Sequence, residues 1–227
     1  DRSHLELSQG QLDLIEEVGK ANSNIIFLLS GGAPFRIPRL DNCRAILHGY
    51  LGGQAGAEAM ADVLLGNETP SGKLNETWPE NLEDTPAYNY FPSKERTAEY
   101  RESVYVGYRY YDTAGVPVRY PFGYGLSYTT FAYSDLTVSE EKVTFTLTNT
   151  GKLDGAEVAQ LYVSAPGKDI FRPKKELKGF AKVFLKAGES KVVEIPLDDK
   201  AFRYFNVKTN RWEVEAGEYT LTVAASA

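Results

Sequence analysis

The chain has 227 residues, a net charge of −6 and a charged fraction of 25%, which is an ordinary globular composition with room for two modest domains. No run of lysine and arginine is dense enough to follow a phosphate backbone, so a nucleic-acid partner is not expected. The longest apolar run, Ile25 to Leu29, is far too short to cross a bilayer, so no membrane partner is expected either.

The N-terminal part begins with the signature of a helix. Ser8, followed three residues later by Gln11, forms a capping-box pattern, and the apolar stripe after it predicts a helix that ends near Asn22. The continuous apolar run from Ile25 to Leu29 then predicts a strand covered on both faces, as in a parallel sheet.

A second strand and helix follow with glycines between them. Residues 44–50 form another short apolar run, Gly52 and Gly53 end it, and residues 55–65 predict a helix that Gly66 stops. This order indicates a parallel sheet with crossover helices. Two strands are too few for a stable parallel sheet, so residues 1–78 are predicted to be an incomplete α/β domain.

Residues 79–130 form a long connection rich in proline and aromatic residues, in which neither the helical nor the strand period persists. Long connections of this kind are usually functional or disordered. The aromatic density argues against disorder, so we interpret this segment, called here the aromatic connection, as packed over another surface.

From residue 131 to the end the pattern is all-β. The alternation from Val143 to Thr148 is strict, and turn residues separate further short strands. The predicted strands include residues 143–148, 158–163 (after a turn at Gly155), 180–185, 191–197, 211–214 and 219–224. About seven short strands without a Cys…Trp…Cys spacing predict a fibronectin-III-like sandwich over residues 131–227.

The sequence contains no complete motif for binding a nucleotide cofactor or a metal ion. The Gly52–Gly53 turn lacks dinucleotide-binding spacing, and residues 66–73 lack the P-loop hydroxyl, because Leu74 follows Lys73. His4 and His48 are far apart, so hydrogen-bonded structural roles are favoured over metal binding. No cofactor and no metal are therefore expected.

Cys43 is the single cysteine, so a disulfide framework within the chain is excluded. It precedes a strand predicted to be buried, where thiols are usually inert. A lone cysteine is compatible with a reducing compartment; a bacterial cytoplasmic location is favoured, with a secreted one as the alternative.

One carboxylate of the aromatic connection stands among tyrosines and arginines. Glu102 lies near Tyr100, and such a wall can desolvate a carboxylate and raise its pKa, as a general acid requires. The simpler alternative is a buried glutamate paired with Arg101 or Arg109. From the residues alone this alternative is favoured.

Several motifs, in order along the chain, resemble glycoside hydrolase family 3. They are Leu51 to Ala59, Ala61 to Gly66, Thr69 to Leu74, Val106 to Asp112, Tyr120 to Phe131, Gly155 to Val163, Arg172 to Phe180 and Ala216 to Tyr219. They cover essentially the whole chain and resemble the family's C-terminal α/β domain, linker and fibronectin-III-like domain.

The resemblance implies a retaining glycosidase with an Asp nucleophile on a barrel domain and a Glu acid/base on a loop of the α/β domain. That Glu precedes an Asp-Arg pair, which Asp1-Arg2 resembles, so we expect the chain to begin just after the acid/base loop. No catalytic residue is therefore assigned to this chain. Tyr100, Glu102 and Arg109 are the candidates for proximity to the active site, with a supporting role for Glu102.

The expected function is that of the C-terminal part of a β-glucosidase acting on terminal β-D-glucosyl residues. The expected partners are a β-glucoside, bound through the complete enzyme, and the barrel domain of that enzyme. The isolated chain is expected to be inactive. The alternative is a non-catalytic carbohydrate-binding or structural module.

Overall fold

The computed structural model describes residues 3–38 and 43–227, so Asp1-Arg2 lies outside the described residues. The first helix, α1 (Gln9–Ala21), confirms the capping-box prediction. The Ser8 Oγ accepts a hydrogen bond from the Gln11 N–H, and the Gln11 side chain accepts one from the Ser8 N–H at 3.0 Å. Both bonds satisfy backbone donors that have no partner inside the helix.

Strands β1 (Ile25–Leu29) and β2 (Cys43–His48) pair in parallel, as predicted. Helix α2 (Gly56–Leu65) follows, and Gly66 ends it in the left-handed conformation with φ of 78°. The described residues cover only one face of β1, since Ile26 is 48% and Leu28 49% exposed, so they do not provide the predicted cover on both faces.

The aromatic connection is more regular than predicted. Strands β3 (Trp78–Pro79) and β4 (Val118–Tyr120) pair antiparallel, with a 3₁₀ turn at Leu82–Asp84 and helix α3 (Tyr108–Ala114) between them. The sequence pattern missed α3 because this helix has only seven residues. Two turns of helix are too short to establish a 3.6-residue period.

The C-terminal part is an antiparallel sandwich, as predicted. One sheet has the order β5-β6-β9, the other β12-β7-β8, and β10 and β11 form a separate hairpin. The strands are β5 (Phe131–Val138), β6 (Lys142–Asn149), β7 (Gly155–Ser164), β8 (Glu176–Leu185), β9 (Ser190–Pro196), β10 (Arg203–Asn206), β11 (Arg211–Val214) and β12 (Thr220–Ala224). Gly155 begins β7 instead of forming the predicted turn, and β5 and β10 were not predicted.

The hydrophobic core lies between the two sheets. Val143, Phe145 and Leu147, on alternate positions of β6, are each at most 1% exposed. They pack against Leu161 of β7 and Leu185 of β8. The strict alternation in the sequence thus places every second residue of β6 on the inward face of its sheet.

None of the helices within residues 3–38 and 43–227 has the length and the apolar composition needed to cross a membrane.

Candidate functional site

A cleft lies at the carboxyl end of β1. The Ser30 Oγ and the Gly31 N–H both donate to the Tyr50 carbonyl, at 2.8 Å and 3.2 Å, and so tie the loops after β1 and β2 together. The cleft has a volume of about 510 Å³ and is lined by residues that include Glu6 and Phe35. Ligands of α/β proteins bind at this edge of the sheet.

His48, at the end of β2, lies in a cage of aromatic rings beside this cleft. Its ring centroid is 4.1 Å from that of Tyr50, 5.1 Å from that of Trp78 and 6.0 Å from that of Phe35. Neither imidazole nitrogen has a partner at normal hydrogen-bond geometry in the described residues, and the Leu29 backbone makes only a weaker polar contact with the ring. The expectation of a fully hydrogen-bonded histidine was therefore wrong. His4, by contrast, is exposed.

Burial lowers the pKa of His48 below its usual value of 6.5 because the protonated imidazolium is poorly solvated in the cage. The folded state therefore binds a proton less readily than the unfolded state, and stability from the neutral ring falls as pH drops below 6.5. Replacing His48 with phenylalanine keeps a ring in place. We expect His48→Phe to flatten the dependence of the unfolding free energy on pH below 6.5.

Urea unfolding between about pH 5 and pH 8 measures this effect. His4→Gln is the matched control, since it removes an imidazole outside the cage. An equal flattening in the two variants would show that the cage is not the cause.

Within residues 3–38 and 43–227, no group of three or more His, Cys, Asp or Glu side chains could hold a metal ion. Cys43, the first residue of β2, is a free thiol whose pKa is raised by burial, which disfavours the reactive thiolate.

Tyr100 and Glu102 lie in one tight turn of the aromatic connection. The Ser103 N–H donates to the Tyr100 carbonyl at 3.1 Å, and the Tyr105 N–H donates to the Glu102 carbonyl at 2.8 Å. Tyr100 is 82% exposed and Glu102 is half-buried. The turn therefore presents a tyrosine to solvent with a carboxylate beside it.

The pairing of Glu102 with a neighbouring arginine was wrong. Arg101 binds Glu99 at 2.5 Å, and its guanidinium carbon is 4.9 Å from the Tyr90 ring centroid. Arg109 instead faces Glu176. Glu102 forms no ion pair with any side chain in the described part of the chain.

Arg109, on α3, points to the sandwich. Its Nε is 3.8 Å from a carboxylate oxygen of Glu176 on β8, and Arg172 and Lys178 approach the same carboxylate at 2.9 Å and 3.6 Å. Three cations thus surround one half-buried glutamate. This arrangement explains the position of Arg109 by contact with the sandwich.

Further contacts fasten the aromatic connection to the sandwich. The Tyr105 hydroxyl donates to the Phe171 carbonyl at 3.0 Å, and the two rings stack at 5.3 Å. The Tyr108 hydroxyl accepts the Leu177 N–H at 2.7 Å. The interpretation of this segment as packed over another surface agrees with these contacts, and the surface is an edge of the sandwich.

A buried ion pair links the loop after α2 to the same sandwich. The Lys73 Nζ is 2.8 Å from the Glu157 carboxylate on β7 and donates to the Gly125 carbonyl at 3.0 Å. The two side chains are only 11% and 9% exposed. The sequence did not predict this pair because no local pattern connects residues so far apart.

Gly123 of the connection makes room for a second buried contact. Its φ is 78°, and a Cβ there would lie 2.2 Å from the Gln160 side chain. The Gln160 amide donates to the carbonyls of Gly123 and Ala225 and accepts from the Tyr162 hydroxyl. A glycine is required here because of both the backbone conformation and the close approach.

Comparison with known proteins covers the whole chain. Residues 1–128 match the glycosyl hydrolase family 3 C-terminal domain, and residues 157–227 match the fibronectin type III-like domain. The chain is 45% identical to thermostable beta-glucosidase B of Acetivibrio thermocellus. It is 48% identical to an exo-alpha-(1->6)-L-arabinopyranosidase of Bifidobacterium longum. Each alignment covers 100% of this chain and 31% of the relative.

Solved structures agree with these relatives. A GH3 beta-glucosidase of Bifidobacterium adolescentis matches with a TM-score of 0.96 and 46% identity, over 100% of this chain and 35% of that one. A beta-glucosidase of Kluyveromyces marxianus solved with glucose matches with a TM-score of 0.93 and 42% identity, over 28% of its chain. The present chain spans about a third of its relatives and belongs to glycosyl hydrolase family 3, as its C-terminal domain followed by a fibronectin type III-like domain.

Proposed function

We propose that the chain is the C-terminal part of a retaining β-glucosidase that hydrolyses terminal β-D-glucosyl residues. The observation that carries this proposal is the match of the whole chain to β-glucosidases of which it spans about a third. In the complete enzyme the chain supplies scaffold and part of the active-site wall, and the barrel domain binds against it. Both catalytic carboxylates lie outside these 227 residues.

The same proposal divides the chain into residues 1–78, 79–130 and 131–227. The uncovered apolar face of β1, with Ile26 and Leu28, supports an α/β unit that is completed by further chain. The two separate sheets of the sandwich support an independent core for the last unit. The many contacts of the connection support its role as a joint between these units.

Within this enzyme we place Tyr100 and Glu102 on the side of the chain that faces the active site. The support is the exposure of Tyr100 and the absence of an ion partner for Glu102 among the described residues. Arg109 has the weaker case of the three, since Glu176 accounts for its position. Glu102 acts here as a positioning residue, and the acid/base role belongs to a residue upstream.

Turnover of a nitrophenyl β-glucoside tests the proposal. The pure 227-residue chain should show no turnover, whereas the enzyme extended at its N-terminus to the length of its relatives should be active. Glu102→Gln in that enzyme should reduce kcat about tenfold or less, because a missing acid/base costs far more. Turnover by the isolated chain, or loss of all activity in Glu102→Gln, would contradict this assignment.

α-L-Arabinopyranosides are a second candidate class of substrate, because of the name of one relative. The Bifidobacterium longum relative, at 48% identity, is named an exo-alpha-(1->6)-L-arabinopyranosidase. Comparing nitrophenyl β-glucoside with nitrophenyl α-L-arabinopyranoside on the extended enzyme separates the two functions. A higher kcat/KM for the arabinopyranoside would favour the second.

A further inference from the structure

The β10–β11 hairpin carries an exposed aromatic surface on the sandwich. Trp212 is 64% exposed and Phe205 44% exposed, and the two residues are paired across the strands. Their ring centroids are 5.5 Å apart and their planes meet at 70°. The rings therefore form a corner, one plane set steeply against the other, at the surface of the protein.

The opposite face of the hairpin holds this corner rigidly. The Glu213 carboxylate accepts hydrogen bonds from Thr209 Oγ1 at 2.5 Å, Asn206 Nδ2 at 2.7 Å and the Tyr204 hydroxyl at 3.3 Å. The Arg172 guanidinium carbon lies 5.9 Å from the Tyr204 ring centroid. A preorganised surface loses little conformational entropy when a ligand binds.

The surroundings of the corner narrow the class of ligand. Val214 extends the apolar face, and Arg203 pairs with Val214 in register. The Arg203 guanidinium binds the Asp199 carboxylate, so the polar group beside the rings is an ion pair. A protein interface takes roughly 20–30 residues on each side, far more than this small patch. The net charge of −6 disfavours a polyanion. The ligand that fits this surface best is a small ring with a flat apolar face, which packs on the aromatic side chains, and with hydrogen-bonding groups around its edge.

We propose that Trp212 and Phe205 form a binding site for one pyranose ring of a gluco-oligosaccharide. The apolar C–H face of the sugar stacks on the indole, its edge meets the Phe205 ring, and its hydroxyl groups reach the Arg203–Asp199 ion pair. Because the two ring planes meet at 70°, they can contact one sugar ring from two sides. Coplanar rings would instead stack on successive sugars of an extended chain. The choice of glucose units rests on the proposed function; the aromatic corner does not.

Tryptophan fluorescence of the 227-residue chain reads this site directly, because the other tryptophan, Trp78, is only 3% exposed. Titration with cello- and laminari-oligosaccharides should protect Trp212 from acrylamide quenching, with a Kd on the order of 1 mM. Trp212→Ala, followed by calorimetry, should weaken binding at least tenfold, and Phe205→Ala several-fold. Trp212→Phe keeps a ring and should retain part of the affinity.

Phe180→Ala is the matched control, since Phe180 is another exposed aromatic residue of the sandwich at 67% exposure. It should leave the Kd unchanged. No saturable response to either oligosaccharide, or equal binding by Trp212→Ala, would overturn the proposal. So would self-association that requires Trp212 without any saccharide response. These readouts need no catalysis, so they can fail while the glycosidase assay succeeds, and the reverse.

Discussion

Replacing Glu157 with glutamine should lower the free energy of unfolding of the chain by about 3 kcal/mol. The change removes the negative charge but keeps the shape of the side chain, and so leaves the Lys73 ammonium in a site where it is 11% exposed. An uncompensated buried charge is expensive because water can no longer solvate it. The Gly125 carbonyl alone offsets only part of this loss.

The position of the pair gives this substitution a second effect. Lys73 belongs to the loop after α2, Gly125 to the aromatic connection and Glu157 to β7, so three segments share one charge pair. Weakening it should loosen the α/β part from the sandwich. Trp78 and Trp212 report on these two parts separately, and their unfolding transitions should move further apart in Glu157→Gln.

Glu194→Gln is the control for this prediction. Glu194 pairs with Lys142 at 2.6 Å on the same sandwich, but both side chains are about half exposed. An exposed pair contributes about 1 kcal/mol or less because water screens it. Urea unfolding of both variants makes the comparison. Equal losses would mean that the Lys73–Glu157 pair is solvated like a surface pair, and the double variant Lys73→Met/Glu157→Gln should recover stability if it is buried.

Truncating Phe145 to alanine should destabilise the sandwich by about 3–5 kcal/mol. Phe145 is 1% exposed, and its ring stacks on that of Tyr133 at 5.8 Å. The substitution removes apolar surface from the centre of the core and leaves a cavity that the two sheets cannot close. Domains are stable by only about 5–15 kcal/mol, so this is a large share of the total.

Thermal and urea unfolding followed at Trp212 measure the Phe145→Ala effect in the sandwich. Phe180→Ala truncates the same kind of side chain at a site that is 67% exposed, and should change stability by about 0.5 kcal/mol or less. A Phe145→Ala loss as small as this would place Phe145 outside the core.

The order of elements in the chain was largely predictable from local patterns. The capping box at Ser8, the parallel pair and the alternation of β6 all appear in the structure as predicted. Each depends on interactions within a few residues, either hydrogen bonds at a helix end or side chains on one face of a strand. Helix α3 was not predicted because seven residues are too few to show a helical repeat of apolar positions.

The candidate site was less predictable, because its contacts join distant segments. Nothing near Glu102 in the sequence shows that Arg109 turns to Glu176 or that Arg101 turns to Glu99. The position of His48 among three rings likewise needs residues from three separate stretches of the chain. The residue types predicted that Glu102 pairs with Arg101 or Arg109, whereas in the folded chain both arginines contact other glutamates.

The motifs and the periodicity of the sequence were enough to identify the family and the class of fold, since both are local properties of the chain. The tertiary structure alone decided that Lys73 meets Glu157, that the connection is fastened to the sandwich at Tyr105 and Tyr108, and that Trp212 faces solvent. These contacts depend on how whole helices and strands pack against each other, and that packing is stabilised by many weak contacts between residues far apart in the sequence.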